Sequence, residues 1–328
     1  MSPKARRRRP RPTAPPRAEQ PVARGGADEV APAPRRAGLF GGALIGPAES
    51  SLPPMGLSLG HGLLAVASQP ALVVATIALT VGSWLLYVAL GFEGIPRRFA
   101  DVLAMPPVST WFDLGSGSSL YGLGGGFLVF LVVTMLVRAI VVAILTGLLL
   151  ESLEDGHVSG AGIRRGLVAM PTTLVVHVAS LSLIFVGNLI LPILGTGIGF
   201  LGFVAALVAG LYFLGFAPAA AIREGRPVVE TLRRSARAAM LPGGRHLVLC
   251  SLYFLLALPF ALGLAPGGDD ITANPSLVTW VFVIAANVLH VVFMGAFAYR
   301  WVVAEPSVPE QPVRRRAPAR GPAARTRR

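Results

Sequence analysis

The sequence predicts an all-α polytopic membrane protein with six transmembrane helices and a cytoplasmic amphipathic helix between spans four and five. Of its 328 residues, 53% are apolar and only 14% are charged, whereas a soluble domain carries about a quarter charged residues. The apolar residues are grouped into stretches of at least ~20 residues, the length that crosses about 30 Å of hydrocarbon as a helix. The basic residues flank these stretches, as the positive-inside rule requires of membrane proteins.

Six apolar stretches define the predicted spans. Only Leu194 to Thr196 separate the third stretch from the fourth. These two spans should therefore form an antiparallel hairpin. The six predicted spans cover residues 71–92, 125–150, 168–193, 197–222, 246–265 and 277–301.

Two tails flank the predicted membrane domain, which covers residues 56–303. Residues 1–55 and 304–328 are rich in Pro, Arg and Ala, a composition that buries too little apolar surface to fold. Both are predicted to be disordered, basic and cytoplasmic. Residues 56–68 predict a short helix lying on the membrane before the first span, with His61 on its polar face.

The distribution of basic residues orients the chain. If the N-terminus is cytoplasmic, only Arg97 and Arg98 of the 29 Lys and Arg residues lie outside. Arg138 lies deep within a span, whereas Arg300, at the cytoplasmic end of the sixth span, counts with the inside residues. This asymmetry predicts a multi-pass protein of a bacterial plasma (inner) membrane with both termini in the cytosol. Anionic lipid headgroups should bind the basic tails and the loop at 223–245. No aromatic residues interleave with the tail arginines, so no specific nucleic-acid partner is predicted.

The loop at 223–245 contains a two-faced pattern over residues 227–240. Apolar residues recur there at three- and four-residue steps and form one stripe of a helix. Charged residues occupy the other face, where Glu230 can pair with Arg234 one turn later. Such a helix suits a bilayer surface with its arginines toward lipid headgroups. The stripe comprises Val228, Leu232, Ala236, Ala239 and Met240, and the charged face comprises Glu230, Arg233, Arg234 and Arg237.

The sequence ETLRRS at residues 230–235 resembles an E-A-L-R-R-S-W-like helix of several poorly characterised bacterial multi-span families. The membrane domain attached to some glycerophosphodiester phosphodiesterases is similar. Gly225 before the helix agrees with that pattern, while Thr231 replaces its alanine and Ala236 its tryptophan. The resemblance implies a six-span membrane domain over residues 56–303. The acidic and histidine metal site of the soluble phosphodiesterase domain is absent from the sequence, so phosphodiesterase activity is not implied.

Arg138 lies near the centre of the second predicted span. An arginine there costs roughly 2.5–3.5 kcal/mol on insertion scales, so it should face the bundle interior or a wet cavity. None of the six predicted spans contains Asp or Glu. We therefore expect Arg138 to bond to carbonyls or to polar neighbours such as His177 or Asn287. A structural arginine should tolerate replacement by leucine, whereas one that contacts an anion or headgroup should be needed for function.

Further polar residues lie in the third and sixth predicted spans. Their spacing places those of the third span on one helical side and sets Asn287 and His290 one turn apart. In the predicted topology these residues lie near the depth of Arg138, which permits one polar cluster. Ordinary hydrogen bonds between helices are the simpler interpretation. The residues of the third span are Thr173, His177, Ser180 and Asn188.

The fourth predicted span carries small residues at four-residue steps, namely Gly202, Ala206 and Gly210. This spacing lets helices approach closely and predicts tight packing within the monomer. The pattern Gly197-x-Gly199-x-x-Gly202 follows no strand, so it does not predict a dinucleotide site. The single cysteine, Cys250, lies in an apolar stretch and is interpreted as a buried apolar residue.

These observations favour a non-catalytic scaffold or accessory protein of the membrane. The alternative is a transporter or lipid-handling permease with a polar bundle interior around Arg138. An intramembrane enzyme ranks third, because no nucleophile and base occupy the buried end of a helix. The sequence predicts no catalytic residue, metal site or cofactor, and it identifies no protein partner.

Overall fold

The computed structural model describes residues 52–91, 99–109, 126–190, 193, 195–261 and 277–309. This part of the chain is helical and contains no β-strand. Short 3-10 turns occupy Phe99–Asp101 and Glu305–Ser307. The α-helices are α1 (Met55–Ser68), α2 (Pro70–Ala89), α3 (Gly126–Asp155), α4 (Gly160–Ile190), α5 (Thr196–Leu214), α6 (Ala217–Glu224), α7 (Val228–Ala239), α8 (His246–Ala261) and α9 (Leu277–Ala304).

Five helical stretches are long and apolar enough to cross a membrane, which indicates a membrane-embedded protein. The fifth predicted span begins as α8, but α8 has only 16 residues and is shorter than a typical span. Residues 262–265 of that predicted span lie outside the described residues, as do nearly all of both tails. The five stretches are Pro70–Ala89, Val129–Asp155, Gly160–Ile184, Val204–Glu224 and Leu277–Ser307.

Glycines bring the backbones of α3 and α4 into direct contact. A Cβ atom added to Gly147 would collide with the backbone of Gly162 and Gly166. One added to Gly166 would collide with the backbone of Ala143. Small residues permit such backbone contact between membrane helices. The four-residue spacing of Gly162 and Gly166 is a sequence signal for this interface that the sequence analysis did not use.

The predicted close packing of the fourth span holds at Gly210. A Cβ atom there would lie 3.1 Å from both the Leu183 and Pro107 side chains of the same chain. Gly202 and Ala206 are only half-buried. Tight packing within the monomer is therefore confirmed at one of the three predicted positions.

The predicted helix at 56–68 is present as α1, and it packs against α9. A Cβ atom on Gly62 would collide with the α9 backbone at Val292 and Ala296. The His61 ring stacks on Tyr299 with their centroids 4.0 Å apart. These contacts anchor α1 to the last span, and its position on the membrane surface stays a prediction.

The fourth span is broken between α5 and α6. Gly215 lies at the break, where a Cβ atom would collide with the Phe297 ring. Pro218 stands in the first turn of α6, where its missing N–H costs nothing. The chain continues directly into α6, which ends at Gly225 with a left-handed φ of 60°.

The described parts of the segments predicted to be cytoplasmic lie together at one end of the bundle, here called the inner end. It comprises residues 52–54, Gln69, 154–165, 223–245 and 305–309. Hydrogen bonds join segments that are distant in sequence. They run from Gln69 Nε2 to the Gly156 carbonyl at 2.7 Å, from the Leu52 amide to the Pro242 carbonyl at 3.0 Å, and from Arg237 Nη1 to the Pro309 carbonyl at 3.2 Å.

Candidate functional site

A largely irregular segment, which begins in the 3-10 turn at Phe99–Asp101, enters the bundle between α2 and α3. Residues 100–109, here called the buried segment, are all buried. The sequence analysis assigned this region to an outer loop. Non-helical backbone at membrane depth is tolerated only where protein or a cavity surrounds it. Two backbone hydrogen bonds lie within the buried segment, from the Ala104 amide to the Asp101 carbonyl and from the Ser109 amide to the Met105 carbonyl. Its other polar groups must obtain hydrogen bonds from the helices around it.

Arg138 on α3 faces the bundle interior, as predicted, and bonds to Asp101 of the buried segment. Its Nη2 atom lies 3.3 Å from Asp101 Oδ2, and its Nη1 atom donates to the Asp101 backbone carbonyl. Both side chains are buried. The expected bond to a backbone carbonyl is confirmed, but the carboxylate partner was not expected, because none of the predicted spans contains Asp or Glu. The carboxylate comes from a loop that folds back into the bundle, and a search of the spans alone misses it.

Two polar residues of α9 hold the same segment. Asn287 Oδ1 accepts a hydrogen bond of 3.0 Å from the Leu103 amide. His290 Nε2 lies 3.1 Å from the Ala100 carbonyl. A carbonyl only accepts, so Nε2 carries the proton of this ring. The predicted polar cluster thus includes Arg138, Asn287 and His290, and the three converge on the buried segment.

Tyr253 on α8 completes this arrangement, and the sequence analysis did not identify it. Its hydroxyl lies 3.0 Å from His290 Nδ1 and accepts a 2.9 Å hydrogen bond from the Met105 amide. Because His290 Nε2 is protonated, Nδ1 accepts from the tyrosine hydroxyl. A continuous series of hydrogen bonds therefore runs from the Met105 amide through Tyr253 and His290 to the Ala100 carbonyl.

His177 on α4 is buried but does not join these bonds. Neither ring nitrogen has a hydrogen-bond partner within the described part of the chain, and neither does Thr134 Oγ1. Leaving such a buried group unsatisfied costs about 1–3 kcal/mol. Among the predicted intramembrane polar residues whose side chains the structure describes, His177 is therefore the one whose polar atoms remain uncommitted.

The other polar residues of the third predicted span have local roles. Thr173 and Ser180 are buried on the same side as His177, as predicted. Each hydroxyl bonds to the carbonyl four residues earlier, at 3.2 Å for Thr173 and 2.8 Å for Ser180. Asn188 lies in the last turn of α4, where its side chain is outside the described residues.

A second buried arginine, Arg300, lies near the inner end of α9. Its Nε atom donates to Ser58 Oγ at 2.8 Å, and Nη1 donates to His246 Nδ1 at 3.2 Å. Its Nη2 atom donates to the Gly244 carbonyl. This side chain connects α9 to α1 and to the start of α8. The sequence analysis counted Arg300 only as a charge on the cytoplasmic side.

The helix predicted at 227–240 is present as α7, but its buried face differs from the predicted stripe. Arg234, placed on the charged face, is only 4% exposed. Leu232, placed on the apolar stripe, is half-buried, and Met240 is exposed. The residues of α7 that are buried are Thr231, Arg234, Ser235, Ala238 and Ala239.

Polar contacts with neighbouring helices explain this difference. Arg234 Nε donates to Glu224 Oε1 at 2.8 Å, so the predicted pairing with Glu230 is wrong. Glu230 pairs with Arg226 at 2.6 Å instead. Ser235 Oγ donates to the Phe213 carbonyl of α5 at 2.7 Å. A periodic apolar pattern does not reveal that a charged side chain has a partner on another helix.

Ion pairs connect the remaining helices at the inner end. Glu154 at the end of α3 pairs with Arg165 of α4 at 3.1 Å and with Arg223 of α6 at 2.6 Å. Arg223 also pairs with Glu305 beyond α9 at 2.7 Å. Four separate parts of the chain are therefore joined by ion pairs, whose arginines the sequence analysis used only to assign orientation.

Within the described residues, no group of three or more His, Cys, Asp or Glu side chains is placed to hold a metal ion. Cys250 is buried, as its apolar surroundings predicted. No known protein family, curated protein or solved structure matches this chain. The resemblance at residues 230–235 to the membrane domain of glycerophosphodiester phosphodiesterases therefore stays a prediction.

Proposed function

We propose that this chain is a non-catalytic scaffold or accessory protein that crosses a bacterial plasma membrane six times. The supporting observation is that its intramembrane polar side chains bond to other parts of the same chain. Arg138, Asn287 and His290, which would line a substrate path in a permease, bond to the buried segment. They maintain the fold of the bundle.

The inner end supports an assignment to the cytosolic side. The described ends of both predicted tails and the basic loop at 223–245 lie there, and the positive-inside rule places the basic charge of such a loop in the cytosol. Its ion pairs give a defined surface on which a partner can assemble. Reporter fusions after Gly156 and Arg237 should therefore read cytoplasmic. Activity of a periplasm-only reporter at Arg237 would overturn this orientation.

The double variant Asp101→Leu/Arg138→Leu tests the scaffold function. It removes both charges together and leaves the bundle neutral at this point. The measurement is thermal stability in neutral detergent, with and without phosphatidylglycerol. A scaffold should show the same stabilisation by lipid in the wild type and in the double variant. Loss of that stabilisation in a folded double variant would instead assign headgroup binding to Arg138.

A transporter or lipid-handling permease is the second candidate, and His177 favours it. Its ring offers one donor and one acceptor, both buried and uncommitted within the described bundle. A polar ligand passing beside Arg138 could satisfy both. Native mass spectrometry of the wild type and of His177→Leu tests this. A bound mass that is lost only in a folded His177→Leu variant would support the permease. The same spectrum for both proteins would argue against it.

A further inference from the structure

Two pairs of adjacent arginines lie at the inner end, and each pair is divided in the same way. In α4, Arg165 pairs with Glu154 at 3.1 Å, whereas Arg164 is exposed and has no ion pair within the described residues. In α7, Arg234 is buried against Glu224, whereas Arg233 is exposed and likewise unpaired in that part of the chain. One arginine of each pair therefore maintains the fold, and the other is available to a ligand.

A third arginine, Arg245, resembles Arg164 and Arg233 in its exposure and in its lack of an ion pair within the described residues. It directly precedes α8 and is exposed. No acidic side chain of the described chain lies within ion-pair distance of it. Its neighbour Gly244 contributes its carbonyl to the bonds of Arg300, which ties the backbone beside Arg245 to the bundle.

Exposed apolar side chains adjoin each of these three arginines. Val168, one turn after Arg164, is 76% exposed, and Val229, one turn before Arg233, is 60% exposed. Leu247, two residues after Arg245, is 56% exposed. Other exposed apolar residues nearby are Ile163, Leu167, Met240 and Val248. An arginine beside exposed apolar side chains is typical of a surface at the boundary between headgroups and acyl chains.

We propose that Arg164, Arg233 and Arg245 bind the phosphate groups of anionic phospholipids in the cytosolic leaflet. The inference rests on the proposed function, from which it takes the membrane location and orientation. A guanidinium group binds phosphate through paired, charge-assisted hydrogen bonds. A soluble phosphate would satisfy the charge but would leave the adjacent apolar side chains in water. A phospholipid pairs its phosphate with the arginine and covers the apolar side chains with its acyl chains.

Adjacent arginines provide a matched experiment. Purified protein in neutral detergent is titrated with phosphatidylglycerol, and the thermal midpoint gives the half-saturating lipid concentration. The double variant Arg164→Gln/Arg233→Gln should raise that concentration about fivefold per arginine, and adding Arg245→Gln should bring the change to the order of 100-fold. The control Arg165→Gln/Arg234→Gln removes the same charge from the neighbouring residues. It should lower the midpoint without lipid and keep the wild-type half-saturating concentration.

Three outcomes would overturn the proposal. The triple variant could show the wild-type half-saturating concentration, or the control could shift as far as Arg164→Gln/Arg233→Gln. Inorganic phosphate could also reproduce the stabilisation, which would assign the arginines to a soluble anion. Phosphatidylcholine, which carries no net charge, should have little effect. The scaffold function is tested separately by Asp101→Leu/Arg138→Leu, which leaves Arg164, Arg233 and Arg245 in place. A negative result for these three arginines would therefore overturn the lipid site without overturning the scaffold function.

Discussion

Arg138 and Arg300 are both buried in the bundle, with 5% and 0% of their surface exposed, yet their charges are accommodated differently. Arg138 pairs with the Asp101 carboxylate. Arg300 donates to a hydroxyl, an imidazole and a carbonyl, and it has no acidic partner in the described chain. One arginine belongs to a neutral pair, and the other is a cation held by neutral acceptors.

Position along the helices accounts for the difference. Arg138 lies in the middle of α3, where a charge is most costly in a bilayer, whereas Arg300 lies one turn from the end of α9. Coulombic attraction is strongest where the dielectric constant is lowest. A central arginine therefore gains most from an opposite charge. Near the bundle end, neutral hydrogen-bond acceptors suffice.

The largest expected effect follows from removing Arg138 alone. Arg138→Leu would leave the Asp101 carboxylate buried without its arginine, and the free energy of unfolding should fall by about 3–5 kcal/mol. This reverses the sequence-based expectation that a structural Arg138 tolerates leucine. Unfolding in detergent is the measurement. Asp101→Leu/Arg138→Leu should recover most of the loss. A single variant as stable as the wild type would contradict the pairing.

A smaller loss is expected at Arg300. Arg300→Leu removes three hydrogen bonds but leaves only neutral acceptors, so the free energy of unfolding should fall by about 1.5–3 kcal/mol. Arg300→Lys keeps the charge without the planar fork and should lie between the leucine variant and the wild type. The same unfolding assay compares them. A loss at Arg300 that exceeds the loss at Arg138 would reverse the proposed distinction between the two arginines.

The support of the buried segment can be weakened without changing any charge. Tyr253→Phe removes the hydroxyl that accepts from the Met105 amide, and the free energy of unfolding should fall by about 1–2 kcal/mol. Hydrogen exchange is the specific measurement, because the amides of residues 100–109 should exchange faster while those of the α3–α4 interface do not. Phe254→Leu, an apolar change on the same helix, is the control. Equal exchange in Tyr253→Phe and the wild type would show that the hydroxyl does not hold the segment.

Much of the helical framework could be predicted, because it depends on local pattern. Five of the predicted apolar stretches correspond to helices long enough to cross a membrane. The cost of a charge in lipid predicted that Arg138 faces the bundle interior. The partner of Arg138 could not be predicted, since Asp101 lies in a stretch that reads as an ordinary loop. The short apolar run at 102–105 was the available hint. Two adjacent arginines look alike in sequence. Which of them binds a carboxylate depends on the tertiary structure and could not be predicted.

The smallest expected effect of removing a buried arginine concerns Arg234. Like Arg138 it is buried beside a carboxylate, but Glu224 also has Arg226, whose Nε atom lies 2.9 Å from Glu224 Oε2. Arg234→Gln would therefore leave Glu224 with a second cation, and the free energy of unfolding should fall by only about 1 kcal/mol. Arg233→Gln, on the exposed neighbour, should stay within about 0.5 kcal/mol of the wild type. The variants Arg234→Gln and Arg138→Leu differ in one respect: Glu224 keeps Arg226, whereas Asp101 loses Arg138. If Arg234→Gln lowered the free energy of unfolding as much as Arg138→Leu does, the second arginine beside Glu224 would not explain the smaller expected loss.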